Sequence, residues 1–515
     1  MRMLDSILYP FALILKRKIF MSALCCTEPR HTRFFLKLIL VCISLCCWLL
    51  SAALPPLQAN PPLDTSDPNF PVYQSLKPNV EFWIDIFTKY SKAQGVIHDN
   101  RKLDIVYEIV GLNPSPSLEA AKSNQAIKAA AIQKYSLILT HLSKGNIPLS
   151  QEEKRVAVLF GSRATPSDFF QASLNLRCQS GLHKEFKEGL MRSGAVIDEF
   201  KRIFRSHGLP VDLVYLPCVE SSFDFKAYSK LGAAGVWQFT HSTGMGYMNI
   251  DYVVDERRDP YISADAAARL LKNNYAALGE WPMAVTAYNH GVNGMMRAKK
   301  FSTSFEKIVQ SYDGPSFKFA SRNFYAEFLA AKTVANNPDK YFDNSVFHKP
   351  ATFQTVKTKG YLPIKPLTAA LNLTIEDIQE LNPSLRKPVF NEQKYIPKGY
   401  DLKLPKTLVI PDTLLTNLYR SSQKPSRFHN VQKGDTAGSI ARLHSVSLKD
   451  LISANGLNKR AGIVIGQNLQ IPARDKLRVA KNKPVTTRLG KRPKKKIAAK
   501  ENRVSFSGTD LSVAL

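Results

Sequence analysis

Cysteine is scarce in the body of this 515-residue chain, which has seven cysteines in all. Only Cys178 and Cys218 lie beyond the N-terminal segment. Two cysteines exclude a disulfide framework and allow one bridge at most. We expect two buried free thiols, while an oxidising compartment would permit that bridge. The other five lie close to the N-terminus, at Cys25, Cys26, Cys42, Cys46 and Cys47.

Acidic residues are also few, since 42 Asp and Glu face 71 Lys and Arg and leave a formal net charge of +29 at pH 7. Such a charge favours either a nucleic acid or an acidic polymer or surface as partner. The sequence has no paired Cys/His zinc ligands and no aromatic ribonucleoprotein signature, so no nucleic acid is expected. Part of the charge lies in residues 475–515, a tail too basic and too poor in large apolar residues to fold alone.

Long apolar runs are missing except for one at residues 38–54, which follows Arg33 and Lys37. The small residues and the Pro-rich segment after it are typical of a secretory signal. A run of roughly 17 residues is marginal for crossing a bilayer. We therefore predict export, with residues 1–59 as a cleaved signal or an N-terminal membrane anchor. The long segment before the run leaves open a translation start at Met21 or an uncleaved anchor.

Composition divides the rest of the chain into several units, as its length predicts. Residues 60–71 are rich in Pro and Asp and indicate a linker, whereas residues 72–207 have mostly helical apolar spacing. Residues 208–345 also indicate helices, with glycine-rich interruptions, and contain the candidate chemistry. Residues 350–406 indicate short strands and small helices, and residues 427–474 predict a strand, two helices and a strand. A looser similarity between the two units indicates a degenerate internal repeat. The expected fold is mainly α with small α+β modules.

Glu220 ends an apolar stretch that begins near Leu213. Burial among hydrophobic neighbours raises the pKa of a carboxyl from about 4.3 toward roughly 6 or 7, which suits a general acid. Pro217 removes a backbone donor and should distort the helix where the carboxyl points into a cleft. For this peptide alone, however, a structural Glu paired with Lys or Arg is the more common outcome.

Three downstream motifs favour a catalytic role for Glu220 over a structural one. The chain reads Gly-Ala-Ala-Gly-Val-Trp-Gln-Phe at 232–239, Asp-Glu-Arg-Arg-Asp-Pro at 255–260 and Ala-Tyr-Asn-His-Gly at 287–291. Together with the Glu-Ser pair at 220–221, their order and spacing closely resemble the superfamily of soluble lytic transglycosylases and goose-type lysozymes. The resemblance covers about residues 209–337. It implies a lysozyme-like helical catalytic domain that follows an N-terminal helical extension.

The resemblance also implies a reaction and a site. Glu220 is expected to act as the single acid and base that cleaves the β-1,4 bond between N-acetylmuramic acid and N-acetylglucosamine, with formation of a 1,6-anhydro sugar. Ser221, Gln238, Tyr288 and Asn289 are the expected substrate-binding residues, and Tyr288 is expected to hydrogen-bond to Glu220. Acid/base catalysis assisted by the substrate's acetamido group needs no metal or organic cofactor.

Four residues of these motifs are expected to have structural roles. Trp237 lies in an apolar run, so we expect it in the core rather than stacked on a sugar. Asp255, Arg257 and Asp259 are expected to form a salt-bridged turn.

Two other functions remain open. One is a lysozyme-like hydrolase on the same fold, although hydrolases of the usual kind need two carboxylates and the motifs supply one obvious candidate. The other is a catalytically silent scaffold that binds the cell wall. The glycan strands of peptidoglycan are the expected partner in every case, and the periplasm or cell envelope is the expected location.

The C-terminal unit resembles the lysin motif, LysM, in Val431 to Thr436 and in the Ile-Gly-Gln-x-Leu-x-Ile-Pro run at 465–472. The resemblance implies that this unit binds glycans containing N-acetylglucosamine. A fold-holding turn is an equal alternative for each single residue. At 357–360 the earlier unit has Lys-Thr-Lys-Gly in place of Gly-Asp-Thr, which leaves a spacer as the alternative to glycan binding there. The expected binding residues are Gly434, Asp435, Thr436, Asn455, Gly456 and Leu457.

Overall fold

The structure, a computed structural model, describes residues 67–472 except 425–426, 433 and 459. The expected signal or anchor at 1–59, most of the 60–71 linker and the basic tail at 475–515 lie outside the described residues. Among the helices that are described, none is long and apolar enough to cross a membrane. The fold is mainly α with small antiparallel sheets, as predicted.

The region before residue 208 combines helices with a sheet. Its helices are α1 (Lys77–Thr88), α2 (Leu118–Leu142), α3 (Gln151–Leu159), α4 (Pro166–Leu174), α5 (His183–Ser193) and α6 (Ile197–Ser206). Its strands are β1 (Gln94–Asp99), β2 (Val106–Gly111) and β3 (Leu176–Ser180), which form an antiparallel sheet in the order β2-β1-β3.

This three-stranded sheet adds to the helical extension that the apolar spacing predicts. Strand β1 is buried at five consecutive positions, so it lacks the alternation by which a half-buried strand is recognised. His98 and Asp99 lie within it, and the Asp99 carboxyl accepts hydrogen bonds from the backbone of Arg101 and Lys102. The pair therefore belongs to the structural interior of the sheet. Cys178 on β3 and Cys218 are free thiols, as expected; Cys218 is buried, whereas Cys178 is only partly buried.

Helix α13 is the central helix of the region that contains the motifs. Nearly all its side chains are buried, and it packs against α1, α7 and α10. It therefore connects the N-terminal helices to both helices that bear motif residues. The helices of this region are α7 (Leu216–Glu220), α8 (His241–Gly244), α9 (Pro260–Leu278), α10 (Trp281–His290), α11 (Val292–Phe301), α12 (Phe305–Ser311), α13 (Phe319–Asn336) and α14 (Pro338–Tyr341).

Two small units follow, and the second has the predicted order of strand, two helices and strand. The first contains β4 (Phe353–Lys357), α15 (Ile364–Leu371), α16 (Ile375–Leu381), α17 (Lys387–Phe390) and β5 (Asp401–Pro405), and α18 (Asp412–Leu418) comes after it. The second contains β6 (Arg427–Asn430), α19 (Ala437–Leu443), α20 (Leu448–Asn455) and β7 (Asn468–Ile471). In each unit the two strands pair antiparallel.

An asparagine closes both units in the same way. Asn382, just after α16, donates to the carbonyl of Lys403 on β5 at 2.8 Å and accepts from its backbone N–H at 2.9 Å. Asn455, at the end of α20, makes the same pair of contacts with Gln470 on β7, at 2.9 and 2.6 Å. The shared contact supports the internal repeat that the sequence indicates.

Candidate active site

Glu220 lies at the end of a short and distorted helix. A 3₁₀ turn at Val211–Tyr215 leads into α7, which has Pro217 in its first turn. Ser222 and Phe223 then adopt positive φ angles of 47° and 52°, and each such non-glycine residue costs on the order of 1 kcal/mol or more. Pro217 lies in the first turn of α7, where proline is tolerated, so the irregular backbone follows Glu220 rather than the proline.

Helix α5 holds this strained turn. Arg192 donates to the carbonyls of Ser222 at 2.8 Å and Phe223 at 3.3 Å. Gly189 lies one turn earlier, where a β-carbon would collide with the Ser222 carbonyl. The close approach of α5 therefore fixes the direction in which the chain leaves Glu220.

The Glu220 carboxyl is in an apolar setting. Burial raises its pKa to about 8, and no Lys or Arg in the described part of the chain opposes that effect. The ion pair that a structural Glu would make is therefore not found among those residues. At neutral pH most of the carboxyl is protonated, so it can donate a proton. The upward direction of this pKa shift was predicted from the sequence.

Tyr288, in the last turn of α10, lies near Glu220. Burial is the main cause of its strongly raised pKa, and the charge of Glu220 adds to it. Its hydroxyl donates to the Trp237 carbonyl at 2.8 Å, whereas the sequence predicted a hydrogen bond with Glu220. A phenol has one proton to donate, but its oxygen can still accept a hydrogen bond from a protonated carboxyl.

Gln238 and Ser221 have different environments. Gln238 is partly exposed, has a φ of 49°, and donates its side-chain amide to the Gly235 carbonyl at 2.8 Å. Ser221 is only 1% exposed, and its hydroxyl donates to the Val236 carbonyl at 2.7 Å. Ser221 therefore connects α7 to the 232–239 loop. Because its hydroxyl is buried and already hydrogen-bonded, the predicted contact with substrate does not fit its position.

Arg257 holds both ends of the 232–239 loop. It donates to the carbonyls of Gly232 at 2.8 Å and Phe239 at 3.1 Å, and it makes a buried bidentate pair with Asp255. Gly235 has a φ of 77°, and a β-carbon there would collide with the Arg257 carbonyl. The predicted ion pair is present between Arg257 and Asp255, whereas Asp259 caps α9 and pairs with Lys403 on β5 instead of Arg257.

Two further motif residues have clear positions. Trp237 is fully buried, with its ring centroid 5.4 Å from those of Phe200 and Phe204, so the prediction that it belongs to the core is confirmed. Asn289 is partly exposed and accepts a hydrogen bond of 2.8 Å from the Ser321 hydroxyl on α13. Helix α13 therefore orients the Asn289 amide.

The sequence analysis missed Glu327, which lies on α13 and is 2% exposed. Burial first, and then the charge of Glu220, raises the pKa of Glu327 to about 8, while Arg177 acts in the opposite direction. A Glu within the apolar run at 324–331 was the available signal. Because Glu327 is buried, it is poorly placed to activate a water on the far side of a scissile bond, as a second hydrolytic carboxylate must. Within the described residues, no group of three or more His, Cys, Asp or Glu side chains is arranged to hold a metal ion.

In the C-terminal unit, Gly434, Asp435 and Thr436 form the turn between β6 and α19. Gly434 has a φ of 93°, and Thr436 caps α19 through its side chain. The Asp435 carboxylate accepts hydrogen bonds from His429 at 2.9 Å and from the backbone of Gln432 at 2.8 Å. The hydrogen bond from His429 is the main reason that the pKa of Asp435 is lowered.

The other three predicted LysM residues all contribute to the fold. Asn455 makes the closing contact with β7, and Gly456 ends α20 in the left-handed conformation with a φ of 60°. Leu457 packs against the hydrophobic core of the unit. Their contact with glycan stays a prediction, and the turn at 434–436 is the more available surface.

Comparison with known proteins agrees with this geometry. Residues 201–310 match the family described as the transglycosylase SLT domain, and residues 429–472 match the LysM domain. The chain carries an SLT domain and a LysM domain. Glu220, Gln238, Tyr288 and Asn289 all lie within the matched SLT residues.

Two related proteins extend the similarity beyond the SLT domain. The chain is 27% identical over 286 residues to membrane-bound lytic murein transglycosylase D of Escherichia coli strain K12, and equally to the protein of the same name from Escherichia coli O6:H1 strain CFT073. Each match covers 52% of this chain and 61% of the relative. The chain thus spans about three fifths of the length of these relatives.

Proposed function

We propose that this protein is a peptidoglycan lytic transglycosylase, a carbon–oxygen lyase that acts on a polysaccharide. The observation that carries the proposal is the Glu220 carboxyl, whose pKa burial raises to about 8 within the SLT domain. A carboxyl that is protonated at neutral pH can act as a general acid on a glycosidic oxygen. The similarity to the two murein transglycosylases supports the same substrate.

In the proposed reaction, Glu220 donates its proton to the oxygen that joins C1 of N-acetylmuramic acid to N-acetylglucosamine. The C1–O bond breaks, and the acetamido oxygen of the same muramic ring relieves the positive charge that develops at C1. The ionised Glu220 then takes the proton of the C6 hydroxyl, whose oxygen attacks C1. The products are a 1,6-anhydro sugar and a protonated Glu220, so the enzyme returns to its initial state without water or a cofactor.

The residues around Glu220 have matching tasks in this proposal. The Tyr288 oxygen is available to accept a hydrogen bond from the protonated carboxyl, because its own proton is used on the Trp237 carbonyl. Gln238 and Asn289 are partly exposed amides. An amide supplies both a donor and an acceptor, so these two suit the N-acetyl and hydroxyl groups of the glycan.

The remaining units fit a protein that works on the cell wall. We propose that the LysM domain binds glycan through the 434–436 turn, that residues 350–406 are a degenerate LysM unit, and that the protein is exported to the cell envelope. The match of residues 429–472 to LysM supports the first part, and the shared asparagine contact supports the second.

Analysis of the reaction products tests the activity. Purified peptidoglycan is digested with the wild type, Glu220→Gln and a control, Glu188→Gln, which changes an exposed Glu on α5. The released muropeptides are analysed by mass spectrometry. We expect 1,6-anhydro ends from the wild type and the control and none from Glu220→Gln. Release of only reducing ends by the wild type would establish a lysozyme-like hydrolase instead.

A further inference from the structure

The helix that ends at Glu220 is too short to fix its own direction. Helix α7 has five residues and directly follows the 3₁₀ turn at Val211–Tyr215. Together they form residues 211–220, which we call the catalytic segment. Isolated helices shorter than about 12 to 15 residues are at best marginally stable in water. The direction of the Glu220 side chain therefore depends on the contacts that hold the catalytic segment from outside.

Helix α13 holds the start of the catalytic segment through two side chains. The Lys332 ammonium lies 2.9 Å from the Asp212 carboxylate, and the two side chains are only 11% and 27% exposed. The Tyr215 hydroxyl donates to the side-chain oxygen of Asn336 at 2.8 Å. The turn that follows Glu220 is held separately by α5. The catalytic segment is thus fixed at both ends, and α13 fixes the first of them.

The same helix also lies beside the other end of the catalytic segment. Helix α13 packs against α7. After burial, the charge of Glu220 is the second cause of the raised pKa of Glu327 on α13, so the two carboxyl groups lie near each other. Glu327 precedes Lys332 by five residues, which is about 7.5 Å along a helix axis. A shift of the segment relative to Lys332 is therefore a shift of Glu220 relative to its surroundings.

Lys332 also holds the first described residues of the chain. Residues 67–73, which we call the N-terminal strap, pack on the face of α13 that Phe328 and Lys332 share at a spacing of four residues. The Phe70 ring centroid lies 5.1 Å from that of Phe328, and the Lys332 ammonium lies 5.1 Å from the Phe70 centroid. The Asp67 carboxylate pairs with Lys332. One ammonium is thus shared by a carboxylate of the strap and a carboxylate of the catalytic segment.

We propose that Lys332 is a positioning residue for Glu220 and that the N-terminal strap keeps Lys332 in place. By bridging Asp67 and Asp212, the ammonium fixes the start of the catalytic segment, so the carboxyl at its end keeps its apolar setting. Without the ammonium, two partly buried carboxylates would repel each other. The inference rests on the proposed function, which makes Glu220 the catalytic acid. Lys332 and the strap both lie outside residues 201–310, which match the SLT family, so that match gives neither a role.

The pH dependence of turnover tests the positioning role. In Lys332→Met, kcat for soluble glycan fragments should fall about tenfold, because a small displacement of a catalytic group is costly, and KM should change less than about twofold. A displaced Glu220 carboxyl is more exposed, so its pKa falls and the alkaline limb of the kcat profile should move about one pH unit lower. Tyr288 on α10 and Glu327 on α13 are ionisable neighbours of Glu220 that no variant alters.

Two further variants control for charge and for stability. Lys332→Arg keeps a cation that can bridge two carboxylates, and it should restore both kcat and the pH profile. Lys318→Met breaks an exposed ion pair with Asp313 just before α13, and it should behave like the wild type. A lower stability of Lys332→Met with an unchanged pH profile would overturn the inference and limit Lys332 to a structural role.

A direct titration of Glu220 separates this inference from the proposed function. Glutamate carboxyl groups are labelled with ¹³C and titrated by NMR, and Glu220→Gln assigns the signal. We expect the signal to titrate at lower pH in Lys332→Met than in the wild type and in Lys332→Arg. An unchanged titration in Lys332→Met would also overturn the inference. If the titration shifts but the wild type releases no 1,6-anhydro ends, the proposed function fails and the positioning role stands.

A milder variant decides the question if circular dichroism shows that Lys332→Met does not fold. Asp212→Asn keeps the pair between Lys332 and Asp67 and releases only the catalytic segment. It should move the titration of Glu220 and the alkaline limb of kcat in the same direction as Lys332→Met, by a smaller amount. Wild-type values for both measurements in Asp212→Asn would overturn the inference.

Discussion

The SLT and LysM domains place their candidate carboxyl groups in opposite environments. In the SLT domain, burial raises the pKa of Glu220 to about 8, so the group is mostly protonated at neutral pH. In the LysM domain, the hydrogen bond from His429 lowers the pKa of Asp435, so the group is ionised. The same functional group is thus prepared to donate a proton in one domain and to accept hydrogen bonds in the other.

The first small unit, residues 350–406, is packed against the motif region of the SLT domain. Val254 belongs to its hydrophobic core, and the backbone of Asp255 donates to the Ser384 carbonyl at 2.8 Å. Lys403 on β5 pairs with the buried carboxylate of Asp259. These contacts hold the turn that contains Arg257, which in turn holds the Gln238 loop. The first unit therefore supports the site structurally.

The largest effect is expected from Glu220→Gln. An amide cannot supply the proton, so the turnover of peptidoglycan should fall about 1,000-fold. Retention on insoluble peptidoglycan should stay at the wild-type level, because the LysM domain is unchanged. Release of soluble muropeptides measures the first property and sedimentation with insoluble peptidoglycan the second. If Glu220→Gln lost retention together with turnover, cleavage and binding would not be divided between the SLT and LysM domains.

Lys403→Met tests the support given by the first unit. The Lys403 side chain is 12% exposed and that of Asp259 is 2% exposed, so the substitution leaves a buried charge without its partner. We expect a loss of about 4 kcal/mol in the free energy of unfolding, measured by urea denaturation.

Lys357→Met is the matched control for that experiment. Lys357 pairs with Asp401 at 3.1 Å on the same sheet, but both side chains are exposed. Its loss should cost at most about 0.5 kcal/mol. Similar losses for the two variants would show that the contact with Asp259 does not anchor the unit.

Glu327→Gln should stabilise the protein in a pH-dependent way. The pKa of Glu327 is about 8 in the folded chain and about 4.3 in the unfolded chain. The folded state therefore binds more protons, and this group lowers stability as pH rises from about 4 to about 8. The variant should gain about 3 kcal/mol at pH 7 and nothing below pH 4. Unfolding curves at several pH values test this, and a gain that does not depend on pH would contradict the assignment.

The sequence predicts the chemistry of the site better than its surroundings. Glu220, Gln238 and Asn289 are predicted site residues because their motifs are local in the chain, and the direction of the Glu220 pKa shift follows from its apolar neighbours. Glu327 was missed because its effect depends on the packing of α13 against α7, which local spacing does not reveal. Strand β1 was missed because a strand buried on both faces has no alternating pattern.

The smallest effect is expected from Asp435→Asn in the LysM domain. The substitution removes a carboxylate that accepts hydrogen bonds from His429 and Gln432 on the surface turn. We expect about threefold weaker retention on insoluble peptidoglycan, in the range of one lost hydrogen bond, and unchanged cutting of soluble glycan fragments. The pKa of Asp435 is lowered, so its carboxylate is ionised above the ordinary Asp pKa of about 3.9. The contribution of this carboxylate to retention should therefore be lost only as the pH falls through the lowered pKa. Asp450→Asn, an exposed change on α20, is the control, and equal retention by both variants would limit Asp435 to shaping the turn.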